Sequence, residues 1–129
     1  MSLQKVDSEM ATTIKLIHNS GKIASLLEDI FLIRVYVAGS YYYIFEDSIV
    51  DELEEGNDVR LMREANNEHD KKAIMMLHKG KKIGYVPRKH NTILSNLMDS
   101  GKMLYGRINT IGHGDYDSVD IMVDIFLKE

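Results

Sequence analysis

Ala73-Ile74-Met75-Met76-Leu77-His78-Lys79-Gly80-Lys81-Lys82-Ile83-Gly84-Tyr85-Val86-Pro87 decides the fold. Two short apolar runs, Ala73 to His78 and Lys82 to Val86, are separated by Lys79-Gly80-Lys81, whose glycine supplies the backbone freedom of a tight turn. The pair reads as an antiparallel hairpin. Working outward, the same period of two marks strands at Phe31 to Ala38, Val59 to Arg63, Met103 to Ile111 and Val119 to Leu127, the last two joined by Gly112-His113-Gly114-Asp115. Between the fourth and fifth strands, Asn91 to Ser100 carries Ile93, Leu94 and Leu97 at helical spacing and ends at Gly101, so one helix is expected there. Asp47 to Leu53 is a further candidate helical turn. Six short strands with no room for parallel crossovers predict a mostly β fold with helices: a small antiparallel, OB-like or SH3-like barrel with one inserted helix.

Residues 1–30 differ. Met10, Ile14 and Ile17, then Ile23, Leu27 and Ile30, recur at helical spacing on either side of Asn19-Ser20-Gly21. The expected organisation is an N-terminal helical extension over 1–30 and a barrel domain over 31–129. The extension's apolar faces predict packing on the barrel, self-association into a homo-oligomer, or docking of a partner protein.

The composition is that of one globular domain, 44% hydrophobic and 28% charged. The chain has no cysteine, which removes disulfides, thiolate–zinc sites and a thiol nucleophile, and suits a reducing cytoplasm. No run has the length and hydropathy of a membrane span, so no membrane partner is expected. The net charge of −4 hides a segregation: Phe45 to Asp58 holds seven acidic residues and no cation, whereas Arg60 to His90 holds nine cations against three acids. A polyanion would lie on the second region.

Motifs of catalysis are missing: there is neither a Gly-x-Ser-x-Gly elbow nor a Gly-x-x-x-x-Gly-Lys phosphate loop. His113, Asp115, Asp117 and Asp120 lack the spacing of a calcium loop and read as a polar hairpin tip. His78, closing an apolar strand, reads as a hydrogen-bonded or exposed histidine rather than a general base. No catalytic residue, metal or cofactor is expected, and the chain reads as a binding module, not an enzyme.

Two stretches are richer in chemistry than a core requires. Tyr41-Tyr42-Tyr43 follows Gly39 at the end of the first strand, where alternation would bury at most every second ring and display the rest as stacking platforms for bases. Arg63-Glu64-Ala65-Asn66-Asn67-Glu68-His69-Asp70 leads from one strand into Lys71-Lys72; its asparagines suit a turn that Asp70 could cap.

The order and spacing of Val37-Ala38-Gly39 with Tyr42-Tyr43, then Leu61-Met62-Arg63-Glu64-Ala65-Asn66-Asn67-Glu68-His69-Asp70-Lys71-Lys72-Ala73-Ile74, then Lys82-Ile83-Gly84-Tyr85-Val86-Pro87 resemble the HIRAN family over about Ile33 to Ile111. That family occurs alone in bacteria and as an N-terminal module of Swi/Snf-type DNA-remodelling helicases. The resemblance implies an OB-like barrel that holds the 3′-hydroxyl end of single-stranded DNA in a repair or processing context. Tyr42 and Tyr43 would line the pocket, His69 and Tyr85 flank a base, Asp70 accept the terminal hydroxyl and Arg88 meet a phosphate. Arg63, Asn67, Lys71 and Lys72 complete the expected nucleic-acid-binding set, with Tyr41 standing where an arginine can occur. Ala65 replaces the motif's usual proline and His69 its usual tyrosine; an imidazole stacks with less area and gains charge on acidification. RNA stays open as a partner, since stacking and phosphate contacts do not read the 2′-hydroxyl. A protein-interaction module, with the barrel as scaffold and the helices as docking face, is the alternative.

Overall fold

Alternation builds the sheet. In the computed structural model, which describes residues 29–44, 49–113 and 119–129, six strands run β1 (Asp29–Tyr36), β2 (Asp58–Arg63), β3 (Ile74–His78), β4 (Lys81–Tyr85), β5 (Met103–His113) and β6 (Val119–Lys128). Residues 31–128 form one compact unit, and of a second unit, residues 1–30 with Glu129, only Asp29, Ile30 and Glu129 are described. Of the expected helical extension over 1–30 only Asp29 and Ile30 are described, and they correct the expectation by opening β1; the rest of it, and the hairpin tip 114–118, lie outside the described residues.

Spatial order is β1-β6-β5-β2-β3-β4. Every second residue faces the core: Val59 and Leu61 from β2, Ile74 and Met76 from β3, Leu104 and Ile108 from β5, and Ile121, Val123 and Ile125 from β6. The long β5–β6 ladder keeps this register until Asn109, an extra residue between the Ile108–Val123 and Thr110–Met122 pairs, restores it on the far side as Ile111 opposite Ile121. The β3–β4 hairpin turns on Lys79 and Gly80, both at positive φ (49° and 82°), as a two-residue hairpin of matching twist requires.

The ladder does not close, which corrects the expectation of a barrel. The sheet begins at β1 and ends at β4, and these edges meet at a single point beyond β1, where Ala38 and Tyr85 exchange backbone hydrogen bonds of 2.8 and 2.9 Å. Gly84 makes this approach practicable, because a Cβ there would stand 2.4 Å from Val37 Cγ1 and 2.5 Å from the Ala38 carbonyl oxygen. A register shift in the β3–β4 ladder beside Gly84 bends the strand at that point.

Among the described residues two helices flank the sheet: α1 (Ser40–Ile44), launched by Gly39 at φ 76°, and α2 (Arg88–Asp99). The tyrosine triplet therefore lies on a helical turn and not on a strand end. A 3₁₀ turn occupies Ile49–Glu52 within the predicted 47–53 segment. The inserted helix starts three residues before the predicted Asn91, because Pro87 (φ −56°) sets the entry dihedral and needs no side-chain cap. Its buried face carries Asn91, Leu94 and Ser95. His78 corrects another expectation: it is 2% exposed, facing inward with Ile74 and Met76, and neither ring nitrogen has a partner.

Candidate functional site

Where the two sheet edges meet, α1, the β2–β3 loop, the end of β4 and the start of α2 enclose an open cleft of about 410 Å³. Tyr42 and Tyr43 come from α1, Asn67, His69 and Asp70 from the loop, Tyr85 from β4 and Arg88 from α2. Seven of the eleven predicted binding residues thus line one concavity. The other four do not. Tyr41 is exposed and packs edge-on to Tyr42 at 5.9 Å. Arg63 donates to the carbonyls of Ala73 (2.7 Å) and Lys71 (2.9 Å) and pairs with Asp99 (2.9 Å), so it splints the loop to α2. Lys72 Nζ donates to Asn96 Oδ1 at 2.9 Å, and Lys71 is exposed and does not line the cleft.

The loop is held by its own side chains. Asn67 Oδ1 accepts from the backbone N–H of His69 (2.8 Å) and Asp70 (3.0 Å), as turn-forming asparagines do. Asp70 takes up the turn-capping role that its sequence context suggests, and its second oxygen faces α2. Its Oδ1 caps the turn by accepting from Lys72 N–H (2.9 Å), while Oδ2 accepts from Asn91 Nδ2 (2.7 Å) and lies 3.6 Å from Arg88 Nε. The Lys72 bond first, then those to Asn91 and the nearby guanidinium, outweigh burial and hold the Asp70 carboxyl below the usual carboxylate range. Arg88 also donates through Nη2 to the His69 carbonyl, though its side chain is 70% exposed and open to a ligand.

The opposite wall is aromatic. The Tyr43 and Tyr85 rings meet edge to face at 6.1 Å, and Lys82 Nζ lies 4.7 and 4.6 Å from their centroids. Lys82 donates to Tyr85 Oη at 2.7 Å, and Tyr85 in turn donates to Glu64 Oε1 at 2.8 Å. Burial, with the bond to Glu64, raises the Tyr85 phenol above its usual value, so the hydroxyl keeps its proton near neutrality. Tyr42 is 71% exposed, a displayed ring rather than a core one.

Sequence reasoning missed Glu64, Lys82 and Asn91 as site-shaping groups. Asn91 carried a usable signal: it falls on the apolar stripe of α2 with Leu94, and a polar side chain buried there requires a partner. Among the described residues no three His, Asp or Glu side chains gather as they would around a metal ion.

The HIRAN domain family model matches residues 30–128. A crystal structure of a protein from Lactobacillus plantarum superposes with TM-score 0.70 at 28% identity, covering 78% of this chain and 96% of that one. The HIRAN domain of human HLTF superposes with TM-score 0.57 at 21% identity over 79% of this chain and 82% of that one. Its solution structure gives 0.53 at 20% identity. Among curated proteins none matches the sequence.

Proposed function

Because this chain belongs to the HIRAN domain family, we propose that its cleft binds the 3′-hydroxyl end of single-stranded DNA, as a recognition module in DNA repair or processing rather than an enzyme. One observation carries the reading: displayed aromatic rings, a carboxylate and an arginine, drawn from four separate elements, converge on one concavity sized for a nucleotide or two. Bases stack on tyrosine and histidine for roughly 1–3 kcal/mol each with little regard to sequence, and Tyr42, Tyr43, His69 and Tyr85 supply such rings. Arg88 presents an exposed guanidinium to a phosphate. Asp70 Oδ2 has lone-pair capacity beyond its bond from Asn91 and can accept a terminal hydroxyl, whereas a terminal phosphate would meet its negative charge.

Fluorescence anisotropy with short labelled single strands and duplexes across a salt series tests this. With two to four phosphates met, log K should fall with log salt at a slope between roughly −1.4 and −2.8, about 0.7 per contact. Preference for duplex, or a slope near zero, would overturn the reading.

A further inference from the structure

We propose that Glu64 is a positioning residue for the cleft: one carboxylate that sets the loop bearing His69 and Asp70 against the strand bearing Tyr85. The inference rests on the cleft being the binding site, although Glu64 does not itself line it. Glu64 Oε1 accepts two hydrogen bonds, from Asn67 Nδ2 at 2.7 Å and from Tyr85 Oη at 2.8 Å. The direction of the second bond follows from inventory. Lys82 can only donate, so Tyr85 Oη must accept from it and has its own proton left for Glu64. On the other branch, the Asn67 that gives its amide to Glu64 uses its Oδ1 to hold the N–H groups of His69 and Asp70. Both walls of the cleft are therefore referenced to the same oxygen. Lys82 Nζ, 4.0 Å from Glu64 Oε2, completes the arrangement as counterion and as the cation near the Tyr43 and Tyr85 rings. The Asn67 bond, more than burial opposes it, keeps the Glu64 carboxyl below its ordinary range, so the carboxylate is present at neutral pH.

Electrostatics and positioning oppose each other here, which makes the role separable. Glu64 is a negative charge beside a site for a polyanion, so on charge alone its removal should tighten DNA binding. Positioning requires the reverse for Glu64→Ala, which leaves Tyr85 O–H and the Asn67 amide without their acceptor and the Lys82 ammonium without its counterion. Binding of a single-stranded oligonucleotide ending in a 3′-hydroxyl should weaken roughly tenfold, the scale of one charge-assisted hydrogen bond. Glu64→Gln keeps an oxygen that both donors reach and loses the charge, so it should bind as well as the parent or better. Tyr85→Phe keeps the ring and deletes one branch; it should weaken binding less than Glu64→Ala, and the double variant should be no weaker than Glu64→Ala alone. Amide exchange measured by NMR on the free protein reads the positioning without any ligand, and in Glu64→Ala the N–H groups of His69 and Asp70 should exchange faster. Unchanged exchange at these amides, or Glu64→Ala binding as tightly as the parent, would overturn the proposal. A parent protein that exchanges as described yet binds no single strand would instead overturn the function proposed for the cleft. Should Glu64→Ala fail to fold, the Tyr85→Phe and Glu64→Gln pair decides: Tyr85→Phe equal to the parent contradicts the role.

Discussion

Gly84→Ala tests the junction on which the cleft depends. The new Cβ would fall 2.4 Å from Val37 Cγ1 and 2.5 Å from the Ala38 carbonyl oxygen, the same oxygen that accepts from Tyr85 N–H. The residue also sits at φ 152°, where a side chain is strained. Backbone strain costs about 1–3 kcal/mol and overpacking a further 1–3 kcal/mol, partly relieved by movement. The substitution should therefore destabilise the domain by roughly 2–5 kcal/mol, a large share of the 5–15 kcal/mol or so typical of native proteins. The movement that relieves it parts Ala38 from Tyr85, and within the aromatic wall it draws the helix that carries Tyr42 and Tyr43 away from the strand that carries Tyr85. Urea denaturation reads the first effect and oligonucleotide affinity the second. Gly112→Ala is the internal comparison, since its Cβ would meet nothing closer than 3.9 Å, and it should change stability by less than about 1 kcal/mol. Gly84→Ala within about 0.5 kcal/mol of the parent, with binding intact, would refute the argument that the edges are pinned there.

Replacing His78 by Leu removes two ring nitrogens that are buried without partners, and should raise stability by about 1 kcal/mol in the same urea experiment; a loss of stability would show that the imidazole is satisfied. Arg63→Ala should cost roughly 2–3 kcal/mol and loosen the β2–β3 loop, because it unties two carbonyls and Asp99; a variant of unchanged stability that had lost only DNA affinity would make Arg63 a ligand contact instead. The carboxyls of Asp70 and Glu64 are both depressed in the folded protein, so what they contribute is fully present above their unfolded values, about 4, and is lost as pH falls through the lower folded values. Melting temperature should hold from neutrality to about pH 5 and fall below pH 4, with a shallower acid limb in Asp70→Asn; an identical limb in that variant would contradict the assignment.

The strands were legible because burial on one face imposes a period of two, clearest in β6: Ile121, Val123 and Ile125 are buried, and their intervening neighbours are not. Lys79-Gly80 announced its turn through the left-handed backbone it requires. Helix α1 was not legible, since five residues complete little more than one turn, too few to establish a period against the strand preference of three tyrosines. Nor was the open ladder, because placing β1 beside β6 and leaving β4 at the far edge is a matter of long-range pairing. His78 was misjudged as a residue type when its parity with Ile74 and Met76 already placed it inside. In the cleft, residues whose chemistry is visible in themselves, such as Tyr42, His69 and Asp70, stood out from the sequence, and Glu64 did not. Its part depends on Tyr85, far along the chain, which brings a hydroxyl to the oxygen that Asn67 already engages.

The central claim is that the cleft reads the chemistry of a strand end, and the most direct test compares two otherwise identical single-stranded oligonucleotides, one ending in a 3′-hydroxyl and the other in a 3′-phosphate. The hydroxyl end should bind more tightly by the worth of a charge-assisted hydrogen bond, roughly 1.5–3 kcal/mol or about ten- to a hundredfold, and Asp70→Ala should narrow that gap. Equal affinity of the unmodified protein for the two ends would contradict the claim.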